Sequence, residues 1–371
     1  MRVVATSKHE LSSDSGELLS VVGPQEESPA ATAAAAATSR RRPQQPTDCR
    51  SAGPHRRDFS AKELALQAKR YKAWRAGTAR GVAMCLTVKD QAEDLPEWVE
   101  YHLGLGASHI YVFDTGSRPP VKGVLRPYLR AGDVTYRYIS DFKAASQDLN
   151  ATNDHRYNPK YKQWIVYSLC LRDYGTRHRF MAFIDSDEFL VITDGTPDLP
   201  TLLEQYRRYG GLVANWRILG SSGHKSHQDS TLLAYTSCYP EQAPAQRAIK
   251  TIVNTALAVQ PASPHNAYYV GGCHAVSTAG ERVDGFSSAR IRSDRLLVYH
   301  YATKSLQDFK AKMKRGGGLG VIFRKMDFWK QVQAHGRRQV AIAIRGYALA
   351  VTMSPHDAAS LAAARAFLAQ F

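Results

Sequence analysis

Apolar and polar positions change character near Gly81. Residues 1–57 are rich in Ser, Ala, Pro and Arg, lack periodicity and predict a disordered leader. Residues 61–75 combine strong helix formers in an amphipathic order and predict a short helix. GVAMCLTV, bounded by Lys89-Asp90, is a near-continuous apolar run, the pattern of a strand buried on both faces. A helix follows: Asp94 stands at an N-cap position, Pro96 in the first turn, and Leu95, Trp98, Val99, His102 and Leu103 fall on one face before Gly104 and Gly106. HIYVFD, 109–114, predicts a second strand, so residues 81–114 form a βαβ unit with parallel strands. Further strands are predicted at 133–140, 180–184, 212–216, 231–236, 250–253 and 296–301, and helices at 160–174, from Lys304 to Arg315 and over 357–370. This interleaving predicts a single α/β domain, residues 79–371, with a mostly parallel central sheet, behind a leader of residues 1–78.

Composition narrows the class without choosing a function. Of 371 residues 44% are hydrophobic, enough for a sizeable core. The five cysteines are dispersed, show no CxxC spacing and point to neither a disulfide-dense scaffold nor a zinc ribbon. No apolar run is long enough to span a membrane, and the N-terminus lacks the apolar core of a signal peptide. The net charge of +16 raises a nucleic-acid reading, but +6 of it lies in residues 1–80 and the remaining +10 is spread over 291 residues. Without a zinc-finger or RNP motif, no dedicated nucleic-acid binding is expected; anionic small molecules or an anionic surface account equally well for a diffuse positive field.

The most informative segment is FMAFIDSDEFLVI. Asp185 and Asp187 emerge where a buried strand ends, a placement with no packing reason, and two carboxylates one residue apart on an extended segment point to the same side. That donor set suits a hard divalent cation bridging two phosphates. Thr87 and Lys89 leave the first strand and Asp114 the second, where a carboxylate can accept from a ribose or base N–H. No GxGxxG follows the first strand and no GxxxxGK[ST] occurs, against dinucleotide and P-loop readings.

Five segments, MCLTVKDQAEDLPEWVEYHLGLGASHIYVFDTGS, KQWIVYSLCLRDYGTRHRFMAFIDSDEFLVI, NWRILGSSGHKS, IKTIVNT and HYATKSLQDFKAKMKRG, resemble in order and spacing the landmarks of glycosyltransferase family 92 and related family-2-like enzymes, from about Arg80 to Gly320. The resemblance implies a glycosyltransferase A-type fold, a nucleotide-sugar donor (commonly UDP-galactose), a carbohydrate acceptor, a divalent metal such as manganese, and inversion at the anomeric carbon. It assigns Asp185 and Asp187 to the metal, with His300 of the last strand as a third ligand, and Thr87, Lys89, Asp114 and Gln163 to the donor. Lys304, Lys312 and Arg315 offer cations to a diphosphate. Gly316 to Gly318 suit a mobile closing loop.

An inverting transfer needs a base for the acceptor hydroxyl. Asp284 ranks first and Asp229 second, with His224 in the small-residue loop SSGHKS and Glu188 behind them; His265 and His274 are left as acceptor-site or structural residues. Family members are usually held in the Golgi membrane by an N-terminal helix. None is visible in this sequence, so a Golgi or endomembrane lumen is expected from the resemblance alone and membrane association stays open. A catalytically silent nucleotide-sugar or carbohydrate binder on the same fold is the alternative.

Overall fold

The computed structural model describes Cys49 and residues 59–149, 160–316 and 325–338. The leader over residues 1–57, the tail helix at 357–370 and the glycines 317 and 318 lie outside the described residues.

Helix α1 (Ala61–Arg75) starts with a capping box between Ser60 and Glu63. Its buried Arg70 donates to the carbonyls of Thr255, Ala258 and Val259, fastening the helix to the domain. β1 (Val82–Val88), α2 (Leu95–Gly104) and β2 (His109–Asp114) make the expected βαβ unit, with β1 and β2 parallel from Ala83 opposite His109 to Val88 opposite Asp114. Asp94 precedes α2 but makes no side-chain cap bond; its carboxylate meets Lys304 Nζ at 2.5 Å instead. After α2 the chain turns at Gly106, φ 101°, where a Cβ would lie 2.8 Å from Pro200.

α3 (Arg126–Ala131), β3 (Val134–Tyr138), α4 (Phe142–Asp148) and α5 (Lys162–Tyr174) lead to β4 (Phe180–Phe183) and β5 (Glu188–Ile192). Then come α6 (Leu199–Glu204), β6 (Gly211–Ile218), α7 (Thr231–Ala234), β7 (Ser237–Cys238) and β8 (Ile249–Asn254). The short strands β9 (Ala258–Pro261), β10 (Ala267–Tyr269), β11 (Ala275–Val276) and β12 (Arg282–Val283) precede β13 (Leu296–His300), α8 (Leu306–Arg315), α9 (Met326–His335) and β14 (Arg337–Arg338).

The central sheet runs β12-β11-β6-β8-β4-β1-β2-β3, with β13 joining β6 to β5. It is mixed. β1 to β4 are parallel, but β8 runs antiparallel between β4 and β6, and β5 and β12 run antiparallel to their partners. Because β8 reverses direction twice over, β6 and β13 again point the same way as β4, and β4 and β13 end at one rim.

One expected strand is a helix. Residues 231–236 alternate like a strand, but Thr231–Ala234 forms α7. Ser230 caps it by accepting from Leu233 N–H, and the Glu97 carboxylate accepts from Thr231 N–H at 2.7 Å. A carboxylate supplied by a distant helix satisfies the exposed donors of the first turn, so local periodicity loses to a tertiary partner.

Alternation along β1 divides the core. Val82, Met84, Leu86 and Val88 pack with Trp98 and Val99 of α2, whereas Ala83 and Cys85 pack with Ile165, Val166 and Leu169 of α5. Disulfides join Cys85 to Cys170 and Cys49 to Cys273, and Cys238 is a buried free thiol. The sequence separations of 85 and 224 residues leave no local spacing from which these two pairings could be read.

Three histidines, His102 and His178 buried and His265 partly so, predict a pH dependence. Burial pushes His102 down to about 3 and His178 down to about 4, and burial together with Lys250 lowers His265. His102 shows the cause: Nδ1 faces the Trp98 carbonyl at 2.8 Å and Nε2 accepts from Leu190 N–H at 3.3 Å, so only the neutral ring fits. These imidazoles protonate near 6.5 when unfolded and resist protonation when folded. The unfolded state therefore binds more protons at mildly acid pH, and stability is lost as pH falls below about 6.5 toward 4. Melting temperature should drop across that window, and His102→Gln should shrink the drop; a flat profile would contradict it.

Candidate functional site

The turn after β4 carries both aspartates, and they face different partners. Asp185 Oδ1 accepts from Gln163 Nε2 and from Tyr167 O–H (3.2 Å), both on α5, while its Oδ2 lies 3.1 Å from Lys250 Nζ of β8. Lys250 is 1% exposed and also lies 3.2 Å from Glu188 Oε2. Glu188 is fully buried, accepts the Asp185 N–H at 2.9 Å, and its Oε1 has no hydrogen-bond partner. Burial pushes Glu188 up to about 8, outweighing the pull of Lys250 and reinforced by Asp185 and Asp187. Burial alone would lower Lys250, but Asp185 and Glu188 more than reverse it and keep the ammonium charged. From α2, Trp98 Nε1 donates to the carbonyls of Asp185 (3.1 Å) and Glu188 (2.8 Å), holding the turn from the other side of the sheet.

Asp187 is buried and turns toward the last strand. Its Oδ2 pairs with Lys312 Nζ of α8 and stands 3.8 Å from His300 Nε2. His300 is brought there because β13 pairs antiparallel with β5, placing it opposite Glu188; its ring packs 4.3 Å from Trp216. Lys312 also donates to the Ala302 carbonyl at 3.0 Å.

Among the described residues, no three His, Cys, Asp or Glu side chains come together in a metal-binding arrangement. Asp187 and His300 do fit a hard divalent ion as a pair, since two ligands at about 2.1 Å each can span up to about 4.2 Å. Asp185, the other expected ligand, is engaged by Gln163, Tyr167 and Lys250.

A cleft of about 280 Å³ opens beside Asp187. The loop Asp90 to Asp94, Arg118, Lys304, Lys312 and Arg315 line it, together with His227 and Asp308. Asp90 and Lys304, both with φ of 49°, hold left-handed backbone at this wall, a conformation costing about 1–3 kcal/mol that surrounding structure must impose. Arg315 donates to the Asp90 carbonyl at 3.3 Å, linking α8 to the loop after β1.

The other expected site residues divide. Thr87, one residue before the end of β1, faces the α5 side with its hydroxyl buried and lacking a hydrogen-bond partner. Lys89 is half-buried near Lys162, whose ammonium is lowered by burial and by Lys89. Asp114 is fully buried and accepts from the N–H groups of Gly116, Ser117 and Val121 and from Tyr136 O–H. Those four bonds fill a carboxylate's capacity, so Asp114 holds the turn after β2 rather than facing a ligand.

Asp284, ranked first as base, is exposed and paired with Arg282 at 2.8 Å. It follows Val283, level with Gly211 through β11, whereas His300 lies level with Ile218, about 23 Å farther along β6 at 3.3 Å per residue. Asp229 is exposed in the loop before α7. His224 Nε2 lies 3.2 Å from the Ala234 carbonyl, with its ring edge-on to Tyr235. His265 is held through Nδ1 by the Ile249 carbonyl at 2.8 Å, and His274 Nδ1 lies 3.0 Å from the Gly272 carbonyl. None of these five lines the cleft.

Sequence reasoning missed Lys250, Tyr167, Trp98 and His227. A lysine inside the apolar run IKTIVNT was the available signal, because a buried strand rarely carries a cation without a buried anion to meet it.

Residues 80–268 match the model of glycosyltransferase family 92. A galactan beta-1,4-galactosyltransferase of Arabidopsis thaliana is 30% identical over 118 residues, 31% of this chain and 21% of that protein's length. The chain thus spans about a fifth of that relative. A mycobacterial protein of known crystal structure aligns at 14% identity over 44% of this chain and 47% of its own, with a TM-score of 0.23.

Proposed function

The chain belongs to glycosyltransferase family 92, and from that premise we propose that it moves a hexose, galactose as in the matched plant relative, from a UDP-sugar to a carbohydrate hydroxyl, with manganese bound and with inversion. The observation that carries this reading is the approach of buried His300 to Asp187, a residue lining a cleft also walled by Lys304, Lys312 and Arg315.

Asp187 and His300 would hold the ion, which when bound would help neutralise the charge of a departing diphosphate. Arg315 and Lys304 add positive potential where a diphosphate would lie. Lys312, paired with Asp187 here, exchanges that carboxylate for phosphate when the donor enters. Thr87 and Gln163, the other donor residues expected from the resemblance, lie on the α5 side of the sheet outside the cleft lining, Gln163 bonded to Asp185 and Tyr167. Inversion follows from direct attack by the acceptor oxygen on the face opposite the diphosphate, which needs a base in the cleft but no enzyme nucleophile. The A-type glycosyltransferase fold is part of this proposal, supported by the rim at which β1, β2, β4 and β13 end. Two disulfides support an oxidising, lumenal compartment. No helix among the described residues is long and apolar enough to cross a membrane.

A thermal-shift screen of nucleotide sugars with and without manganese tests the reading. A ligand that binds only the folded state at a hundred times its Kd adds about 2.7 kcal/mol, so a UDP-sugar should raise the melting temperature with manganese and much less without it. Equal shifts with and without the metal would contradict metal dependence.

A further inference from the structure

We propose that His227 is the general base that deprotonates the acceptor hydroxyl, with Asp308 as the positioning residue that orients it. The inference rests on the sugar-transfer reading above.

His227 lines the same cleft as Asp187, Lys312 and Arg315. Its Nδ1 lies 2.8 Å from Asp308 Oδ1. A carboxylate can only accept, so the Nδ1 proton points at Asp308, while Nε2 faces the Glu93 carboxylate at the longer distance of 3.5 Å; in the neutral ring the Nδ1 proton leaves the lone pair on Nε2. Asp308 is itself fixed. As the third residue of the α8 capping box it accepts from Ser305 Oγ at 2.6 Å, and its Oδ2 also accepts from Tyr235 O–H at 3.0 Å. A hydroxyl-accepting nitrogen oriented by an anchored carboxylate is the arrangement that general bases require.

The other carboxylates of the cleft are otherwise engaged. Asp187 faces Lys312 and His300, Asp94 faces Lys304, and Asp90 accepts the Arg118 N–H at 2.8 Å. Burial would raise Asp308, but its bonds from Ser305 and His227 lower it, which makes it a poor proton acceptor. Glu93, whose Oε2 stands 3.5 Å from His227 Nε2, has a side chain 80% exposed, so an acceptor reaching Nε2 displaces it into solvent.

Helix α8 sets the spacing. Asp308, Lys312 and Arg315 share one face, and at 1.5 Å per residue the dyad sits about 6 Å along the axis from Lys312 and about 10 Å from Arg315. Asp308, which holds His227, and the cations Lys312 and Arg315 therefore reach the same cleft from one face of α8. In the step, the acceptor oxygen forms its bond to the anomeric carbon with its own electron pair, its proton passes to His227 Nε2, and the bond to the diphosphate breaks with its pair leaving on the phosphate oxygen. The imidazolium is stabilised by Asp308 and returns its proton to solvent.

The groups facing His227 are Asp308 from α8 and Glu93 and Asp94 from the loop after β1, with Lys304 paired to Asp94 as the adjacent cation. Burial would lower the imidazole; the bond to Asp308 and these charges outweigh it and raise it.

The test uses the full chain with UDP-galactose, manganese and a transfer assay. His227→Gln should lower kcat/KM by about 10² to 10⁴-fold, leave UDP affinity and melting temperature unchanged, and lose the acid limb of the pH profile. Asp308→Asn should move that limb to lower pH, and imidazole should restore part of the rate to His227→Ala. Unchanged rate in His227→Gln, UDP affinity lost in step with rate, or an unmoved limb in Asp308→Asn would each overturn the assignment. If the unmodified chain neither binds UDP nor transfers any sugar, the transfer reading falls and takes the base with it.

Discussion

An Asp187→Asn enzyme is expected to lose manganese-dependent donor binding and about a thousandfold of its transfer rate while keeping its fold. Asparagine preserves the shape of the side chain but removes the charge that a hard cation needs, and His300 alone is too weak a set for such an ion. The fold survives because the lost partner, Lys312, has a side chain 20% exposed and can reach water, unlike Lys250. Calorimetric titration with manganese and UDP, alongside thermal melting, checks both halves. Wild-type metal affinity in Asp187→Asn would remove this residue from the site.

Lys250→Met is expected to act on stability more than on any single step. Lys250 is the only cation the structure places against the Asp185 and Glu188 carboxylates among the described residues, and it does so from a fully buried strand. Removing one partner from a buried charge cluster strands the others and costs about 3–5 kcal/mol, a melting shift on the order of 10 °C for a domain of this size. Glu188 offers a partial escape. Its carboxyl is already raised to about 8, and losing Lys250 raises it further, so it is carried as the neutral acid at lower pH. A carboxyl raised on folding stabilises below its unfolded value near 4.5 and loses that contribution as pH rises through its folded one. The Lys250→Met deficit should thus be larger at pH 8 than at pH 6, and adding Glu188→Gln should recover part of it. A deficit independent of pH and of Glu188 would contradict the cluster.

Much of this site could be read from residues before any coordinates. A buried run ending in Asp-Ser-Asp-Glu marks a strand terminus facing a rim, and His300 at the end of the last apolar run stands at the same rim because β13 points the same way as β4. What the pattern could not show is orientation. Two aspartates one residue apart share a face on an extended strand, but here the chain turns between β4 and β5, so Asp185 meets Lys250 while Asp187 meets His300. Asp114 had the right place and the wrong surroundings, because its acceptors are filled by a turn only two to seven residues ahead and by Tyr136 of the neighbouring strand. His227 and Asp308 stand 81 residues apart, and nothing local in either segment announces the other. The disulfides were hidden for the same reason.

Single-turnover incubation of the full chain with radiolabelled UDP-galactose and a β-galactan acceptor, with manganese or with EDTA, tests sugar transfer with the metal held at Asp187 and His300. Label in the acceptor and stoichiometric UDP are expected with manganese, and neither with EDTA. Label transferred equally in EDTA, or donor bound with manganese and no UDP released to any acceptor, would contradict metal-dependent transfer.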